Sequence, residues 1–334
     1  MKSLFGKAFF DTQLRIVPDR PVSGRMVRVR VRACGVCGTD LHFLRDSADW
    51  IALGHEIAAE VVETGAEVTR VKPGDRVIVE DVTMCGACEA CKSGRYDLCQ
   101  NPYRLDGQGG MADQMVVHEN MLNRFEGIDW VTASMTEPLA VAISCVERLN
   151  LPPMGSLLIY GMGAIGLLSA AYAKVRGAAR VDMIARDPDS LRNAGAARTA
   201  RALGADEIFF TRGAAVSLGE GAYDAALVAA SPALANDALA HVRYGGCALV
   251  AGITLSGGAF SNIDVNHMVM NKKSLITSLA EPAVNFPLSL RLIGQGAVDA
   301  GAIITHRLPL AEAGALKALY GQDAGAIKTV MLCG

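Results

Sequence analysis

The sequence contains no long apolar run. Although 51% of its residues are hydrophobic, no stretch approaches the ~20 apolar residues that a bilayer-spanning helix needs. The N-terminal segment 1–6 carries neither the apolar core nor the cleavage site of a secretory signal. No charge sign dominates either, since the formal net charge is -2, so neither nucleic acid nor an anionic membrane is expected as a partner. These absences predict a soluble, cytoplasmic, globular protein.

The sequence also lacks internal repeats and low-complexity linkers, yet its 334 residues are too many for one ordinary core. The first third reads as β-rich, and alternating Val and Arg at 26–31 predict a strand with one buried face. From about Leu157, short apolar strands alternate with helical patterns, which predicts βαβ units and a parallel sheet. From about Leu275 the elements become short and mixed again. The pattern predicts an α/β protein of two domains.

Four of the nine cysteines are concentrated in one short segment. Cys85, Cys88 and Cys91 are separated by two residues each, and Cys99 follows. Two disulfides would conflict with a cytoplasmic location. Iron–sulfur ligation is chemically possible, but no second cysteine group indicates an electron-transfer chain. Four thiolates at this spacing can complete a tetrahedral zinc shell without an open position, so we predict a structural zinc site.

A second set of metal-ligand types lies apart from this segment. The segment 35–42, GVCGTDLH, supplies Cys37, and His55 follows about one strand later, in GHE at 54–56. Thiolate and imidazole both suit zinc, and a carboxylate from Glu56 or Glu137 would give a third ligand. Three protein ligands leave a position for water or a substrate oxygen, which is what a catalytic zinc requires. The sequence leaves open which glutamate serves.

Each of these residues has a simpler interpretation when it is taken alone. A single cysteine or histidine is usually a packed residue with satisfied hydrogen bonds. Cys34 and Cys37 also form a CxxC pair, which in other proteins is a redox motif. No thioredoxin-like βαβ pattern surrounds this pair, so the sequence favours the metal interpretation.

A glycine-rich turn indicates a dinucleotide site. The segment 161–166, GMGAIG, follows the apolar strand 157–160 and opens a helix. Its glycines permit a tight turn and close approach of the backbone to a pyrophosphate, which the helix N-terminus then faces. The predicted cofactor site comprises these residues and one glycine after a later strand: Gly161, Gly163, Ala164, Ile165, Gly166 and Gly252.

The end of the next predicted strand decides between the two nicotinamide cofactors. An acidic residue there would bind the ribose 2′-hydroxyl of NAD, but this position is Ala185. Arg186 follows and can pair with the 2′-phosphate of NADP. Asp187 keeps NAD open, and an exposed loop charge is the simpler interpretation of Arg186. The sequence favours NADP over NAD.

These motifs, in this order, resemble the zinc-containing medium-chain dehydrogenase/reductase family over nearly the whole chain. Besides the cysteine segment and the glycine turn, the resemblance rests on GVCGTDLH, on GHE at 54–56 and on EPLAV at 137–141. The last motif is most similar to the sorbitol, threonine, butanediol and sugar dehydrogenases. The resemblance implies a GroES-like β-rich catalytic domain over 1–137 and 275–334, a Rossmann domain over 138–274, and an active site in the cleft between them.

The resemblance also implies roles for single residues. Cys37 and His55 would bind the catalytic zinc, with Glu56 a ligand in some states and Glu137 in the region of the third ligand. Asp40 would orient His55, as metal-bound histidines usually require.

The remaining implied roles concern the proton, the cofactor and the lobe. Thr39 would take the substrate proton and His42 would lie at the far end of the relay. Lys328 resembles a basic position near the cofactor pyrophosphate. The structural zinc would be held by Cys85, Cys88, Cys91 and Cys99.

The predicted activity is reversible hydride transfer between a secondary alcohol and NAD(P). Polar residues in 44–50 and 101–110 favour a polyol, a sugar or an amino alcohol, unless they simply face water. The alternatives are a zinc-free reductase of the quinone or enoyl type and a non-catalytic nucleotide-binding relative. Both are disfavoured, since the candidate ligands and the relay residues are present. The resemblance further implies a homodimer or a homotetramer.

Overall fold

A computed structural model describes the chain as two compact units. It covers the residues 1–212, 216, 218–253, 262–281, 284–322 and 324–334. The first unit comprises Met1–Ala140, Ala280–Gly296 and Ile304–Gly334. The second unit comprises Val141–Leu279 and Ala297–Ile303. No helix in the described ranges combines the length and the hydropathy of a membrane span.

The elements are numbered here in chain order. The strands are β1 (Lys2–Lys7), β2 (Asp11–Ile16), β3 (Met26–Gly35), β4 (Ile51–Ala52), β5 (Glu56–Thr64), β6 (Arg76–Val79), β7 (Val82–Thr83), β8 (Tyr103–Arg104), β9 (Gln114–His118), β10 (Leu122–Arg124), β11 (Ser156–Tyr160), β12 (Arg180–Ala185), β13 (Ile208–Phe210), β14 (Tyr223–Val228), β15 (Val242–Val250), β16 (Ser274–Thr277), β17 (Ile304–Pro309) and β18 (Lys328–Leu332). The α-helices are α1 (Gly38–Asp46), α2 (Glu89–Lys92), α3 (Trp130–Ala133), α4 (Thr136–Arg148), α5 (Ala164–Val175), α6 (Leu191–Ala202), α7 (Ala235–His241), α8 (Val265–Met270), α9 (Phe286–Gly294) and α10 (Leu316–Gly321).

The first unit is built around a mixed sheet. Its strand order is β10-β6-β5-β3-β18-β17, and β9 pairs with the other half of β3. The alternating pattern of β3 has the expected result: Val27, Val29 and Val31 are fully buried, while Arg28 on the opposite face donates to Glu63. Apolar burial of one face therefore fixes the register of this central strand.

That register brings distant parts of the chain to one end of the sheet. Gly35, the last residue of β3, lies opposite Glu56 of β5 on one side and Val330 of β18 on the other. Because these pairs are antiparallel, the residues after β3, before β5 and at the start of β18 converge. They include Cys37, His55 and Lys328.

The second unit contains the parallel sheet that the alternating strands and helices predict. Its strand order is β13-β12-β11-β14-β15-β16, and each neighbouring pair is parallel. Counted from β11, this is the order 3-2-1-4-5-6 of a doubly wound dinucleotide-binding sheet. The chain reverses direction of winding between β11 and β14, and ligands bind such sheets at the carboxyl ends of the strands on either side of that point.

Candidate active site

The first candidate site is a group of three ligand types at the end of the mixed sheet. One ligand atom each from Cys37, His55 and Glu56 lies within 4.8 Å of the other two. Cys37 immediately precedes α1, and Glu56 is the first residue of β5. Cys37 and His55 are half-buried, whereas Glu56 is only 1% exposed. We call these three residues the Cys37 cluster.

Asp40 ties together the two backbone segments that carry the cluster. Its carboxylate accepts hydrogen bonds from the backbone N–H groups of Cys37 and Gly54, both at 2.9 Å. Gly54 directly precedes His55, so one buried side chain fixes the segments of both ligands. The role that the resemblance implies for Asp40, orientation of His55, stays a prediction; the contacts seen here act through the backbone.

The chemistry of the Cys37 cluster fits a divalent cation. Burial alone would lower the pKa of His55, but the neighbouring Cys37, Asp40 and Glu137 raise it well above its usual value. Oε2 of Glu56 is buried and has no hydrogen-bond partner among the described residues. The cluster is thus rich in negative charge and leaves one oxygen unsatisfied. Thiolate, imidazole and carboxylate are the donor set that zinc prefers.

Glu137, the alternative third ligand, lies near the cluster but outside the group of three. It stands in the first turn of α4 and is 8% exposed. Burial raises the pKa of Glu137 well above its usual range; the charges of Glu56 and Cys37 add to this increase, while His55 opposes it. The structure therefore places both glutamates within electrostatic reach of His55.

The structure places Lys328 beside the Cys37 cluster. Its Nζ donates to Oε1 of Glu56 at 2.5 Å and to the carbonyl of Val36 at 2.9 Å, and the residue is 2% exposed. Its role near a cofactor pyrophosphate stays a prediction. Sequence reasoning missed the contact with Glu56, because the two residues are 272 positions apart and only the pairing of β18 with β3 brings them together.

The two residues of the expected proton relay are on α1. The Oγ1 of Thr39 lies 3.8 Å from the Sγ of Cys37, so the structure brings this hydroxyl to the cluster. His42 is half-buried one turn further along α1, on the same side of the helix as Thr39. The relay itself stays a prediction.

Sequence reasoning also missed Asp81. In the pairing of β5 with β6, Ile57 lies opposite Val79, and continuing this register sets Asp81 opposite His55. Burial and the charge of Glu281 raise the pKa of Asp81 to about 7, while His55 opposes the increase. No motif marks Asp81; the only sequence signal is its position directly after the apolar strand β6.

The second candidate site is the group of four cysteines. Their Sγ atoms all lie within 4.8 Å of one another; Sγ of Cys88 is 3.5 Å from that of Cys91 and 3.9 Å from that of Cys99. Sulfurs bound tetrahedrally at about 2.3 Å from one zinc ion lie ~3.8 Å apart. Left-handed backbone at Gly86 and Gly94, with φ of 73° and 77°, turns the loop around this centre.

The backbone of the same lobe stabilises thiolates. The N–H groups of Gln100 and Cys91 lower the pKa of Cys88 to about 6. All four cysteines are free thiols rather than disulfides. Burial and the neighbouring cysteines raise the pKa of Cys91 to about 12. Four sulfurs at this separation fit a closed metal site.

The glycine-rich turn of the second unit joins β11 to α5. Gly161 has a φ of 104°, a left-handed conformation that a side chain would strain. A Cβ on Gly166 would lie 2.0 Å from the carbonyl oxygen of Gly161, so the third glycine permits the close packing of helix on strand. Gly163 caps α5, which Ala164 and Ile165 open.

Gly252 lies just after β15, as Gly161 lies just after β11. A Cβ there would lie 1.7 Å from the carbonyl oxygen of Ala230, so the backbones after β14 and β15 pass in direct contact. The turn at Gly161 and this crossing both lie at the carboxyl ends of the strands around the change of winding. That is where a doubly wound sheet binds a dinucleotide.

The residues that we expect to select the cofactor lie at the end of β12 and directly after it. Ala185 is its last residue, and Arg186 follows with an exposed side chain. A carboxylate oxygen of Asp187 accepts a backbone N–H of its own turn at 2.9 Å. The guanidinium of Arg192, in the first turn of α6, lies 3.7 Å from the position of a Cβ on Gly163. One arginine thus directly follows β12, and a second lies close to Gly163 of the glycine turn.

Comparison with known proteins agrees with these observations. Residues 23–126 match the alcohol dehydrogenase GroES-like domain, and residues 164–293 match the zinc-binding dehydrogenase domain. The sorbitol dehydrogenase of Bacillus subtilis (strain 168) is 28% identical over 318 residues, covering 90% of this chain and 88% of that protein. The D-arabitol-phosphate dehydrogenase of Enterococcus avium is 30% identical over 305 residues, covering 86% and 84%.

Solved structures give the same fold. The 2R,3R-butanediol dehydrogenase of Bacillus subtilis superposes with a TM-score of 0.83 at 22% identity, covering 100% of this chain and 99% of that chain. A protein of Sinorhizobium meliloti 1021 solved with bound NADP gives a TM-score of 0.86 at 26% identity, covering 99% and 98%. The GroES-like and Rossmann folds are thereby confirmed, and the chain belongs to the zinc-containing medium-chain dehydrogenase family.

Proposed function

We propose that this alcohol-oxidising enzyme converts a secondary alcohol of a polyol, a sugar or an amino alcohol reversibly to the ketone, with a catalytic zinc held by the Cys37 cluster. The observation that carries this proposal is the convergence of Cys37, His55 and Glu56, whose ligand atoms lie within 4.8 Å of one another. The relatives named above act on sorbitol and arabitol phosphate, which supports a polyhydroxylated substrate.

Zinc bound there would supply a Lewis acid that favours the ionised form of the alcohol. Cys37 and His55 would hold it with Glu56 as the third ligand, and Glu137, which interacts electrostatically with His55, is the alternative third ligand. Asp40 keeps the two ligand segments in place through the N–H groups of Cys37 and Gly54. Positioning of this kind is needed because small displacements of reacting groups are costly in rate.

The proton of the alcohol would leave through α1. The hydroxyl of Thr39 lies beside the Sγ of Cys37 and is the group of the relay nearest to the cluster. It would accept the proton and pass it toward His42, one turn along the helix. If the hydroxyl of Thr39 were replaced by a methyl group or a hydrogen, no oxygen would remain there to accept the proton.

The four-cysteine lobe would hold a second zinc with a structural role. Four sulfurs complete a tetrahedral shell, so no position remains for a substrate. The lobe would thus stabilise the fold of the first unit.

The second unit would bind the cofactor, with NADP preferred to NAD. NADP would accept the hydride. Arg186 would pair with the 2′-phosphate at the place where Ala185 offers no carboxylate to a ribose hydroxyl, and Arg192 would add positive charge beside Gly163. The structural neighbour with bound NADP supports this choice. We assign the catalytic domain to 1–137 and 275–334 and the Rossmann domain to 138–274, in a cytoplasmic homodimer or homotetramer.

A metal assay and a substrate panel test the proposal together. About two zinc ions per chain are expected, falling by one in Cys37→Ala. The panel pairs neutral polyols, sugars and amino alcohols with NAD and NADP and follows the nicotinamide absorbance. Turnover that survives in Cys37→Ala, or a zinc content that does not change in this variant, would refute the catalytic centre.

A further inference from the structure

A buried ion pair joins Lys328 to the Cys37 cluster through Glu56. Lys328 and Glu56 are 2% and 1% exposed, and the ammonium of Lys328 donates to Oε1 of Glu56. A second hydrogen bond, to the carbonyl of Val36 at 2.9 Å, fixes the direction of the lysine. Only one oxygen of Glu56 is therefore engaged.

The other oxygen lies beside the backbone of β3. Gly35 lies opposite both Glu56 and Val330 in the register of β3, and a Cβ on Gly35 would lie 1.8 Å from Oε2 of Glu56. Glycine at position 35 thus creates the space that this oxygen occupies. Oε2 has no hydrogen-bond partner among the residues described, and it belongs to a carboxylate of the Cys37 cluster.

We propose that Lys328 is a positioning residue that keeps Glu56 an exchangeable, one-oxygen ligand of the catalytic metal by holding Oε1. This inference rests on the proposed function. Since an uncompensated buried carboxylate is strongly unfavourable, loss of the ammonium would leave the metal as the nearest cation for both oxygens of Glu56. The metal would then be bound more firmly, and the position meant for the substrate would be obstructed.

A double-mutant cycle tests the proposal. Wild type, Lys328→Met, Glu56→Gln and the double variant are loaded with zinc, and release of the metal to a chelator is timed. Release from the four-cysteine lobe is common to all four proteins. We expect Lys328→Met to slow release from the Cys37 cluster on the order of 10-fold, which is opposite in direction to the loss of metal affinity that usually follows removal of a partner of a metal ligand. The same substitution is expected to have no effect in the Glu56→Gln background.

Substitution of cobalt for zinc gives a measurement that would not change if the role of Lys328 were purely structural. The visible bands of cobalt report its coordination, so they should shift in Lys328→Met and stay unchanged when the same substitution is made in Glu56→Gln. Slower release that persists in the Glu56→Gln background would mean that the lysine acts only by its charge, and it would overturn the proposal. Unchanged or faster release in Lys328→Met, or unshifted cobalt bands, would overturn it as well.

The second unit offers a matched control. Lys273 is also buried, at 7% exposure, and its Nζ donates to the carbonyl of Leu239 and contacts Nε2 of His267, both at 2.8 Å. Lys273→Met should leave metal release and the cobalt spectrum unchanged. If Lys328→Met does not fold, Lys328→Gln is measured in the same cycle, with the same coupling expected at smaller size; absence of coupling there refutes the proposal. If wild type binds no metal that depends on Cys37, the proposed function fails, and this inference fails with it.

Discussion

The two candidate metal sites of the first unit are assembled in opposite ways. The four-cysteine group comes from one short segment, 85–99, whose glycine turns bring the sulfurs together. The Cys37 cluster is formed where β3, β5 and β18 meet, so it depends on sheet register and on a C-terminal strand. Spacing alone indicates the four-cysteine site, whereas ligand types and resemblance suggest the second site and only the fold shows that Glu56 rather than Glu137 lies within 4.8 Å of Cys37 and His55.

The electrostatics of the two sites differ in the same sense. In the cysteine lobe, backbone N–H groups lower the pKa of Cys85 and Cys88, whereas burial raises that of Cys91. Beside the Cys37 cluster, burial and the charge of Glu56 raise the pKa of Glu137, and Oε2 of Glu56 has no hydrogen-bond partner among the described residues. Four sulfurs can close the shell of a structural metal, whereas three protein ligands leave one position open.

The largest expected effect separates these roles. Cys37→Ala should reduce kcat/KM about 1000-fold, which corresponds to the several kcal/mol that a catalytic metal contributes, while the thermal midpoint changes little. Steady-state kinetics and thermal unfolding on the same preparation measure both quantities. Cys145→Ala is the control, since Cys145 is a buried cysteine of the second unit. An equal loss of activity in both variants would contradict the assignment.

The converse variant concerns the lobe. Cys91→Ser should lower the thermal midpoint on the order of 10 °C, because binding of a structural metal contributes directly to folding. The fraction that remains folded should keep most of its turnover. Cys247→Ser changes a half-buried cysteine of the second unit and should shift the midpoint far less. A specific loss of turnover in intact Cys91→Ser enzyme would show that the lobe takes part in the chemistry.

Much of this could be predicted from the sequence, and the contrast between local and long-range sites explains the rest. The family, the α/β fold class and the oxidoreductase activity are confirmed, because the glycine turn and the cysteine spacing are local signals. The contact of Lys328 with Glu56 and the electrostatic interaction of Asp81 with His55 could not be predicted, since they depend on which strands pair. The site roles and the domain bounds stay predictions.

The preference between NADP and NAD tests another prediction made from local sequence, the role of Arg186. Arg186→Ala should raise KM for NADP about 10-fold and leave KM for NAD nearly unchanged, since a charge-assisted pair with the 2′-phosphate contributes roughly 1.5 kcal/mol. Initial rates at varied cofactor concentration measure both constants. Arg201→Ala removes an exposed arginine of α6 and should affect neither. Equal increases for both cofactors would remove the argument for phosphate pairing.

The smallest expected effect compares Glu56 with a second buried glutamate of the same unit, Glu119. Oε2 of Glu119 accepts N–H groups of Thr69 and Arg70 at 2.9 and 3.0 Å, and Oε1 lies 3.3 Å from Arg25. Burial raises the pKa of Glu119, but these donors outweigh it, so the pKa is lowered from its usual value.

A lowered carboxyl pKa stabilises the fold above the unfolded-state pKa, and this contribution is lost as pH falls through the folded-state value. Glu119→Gln should therefore cost about 1–2 kcal/mol of unfolding free energy at neutral pH and progressively less in acid, without changing zinc content. Glu56→Gln should weaken metal retention as well as stability, because it leaves the buried ammonium of Lys328 without its carboxylate partner. Denaturant titrations at several pH values and the metal assay on the same proteins distinguish the two glutamates. A loss of zinc from Glu119→Gln would contradict the view that Glu119 stabilises the fold and Glu56 binds the metal.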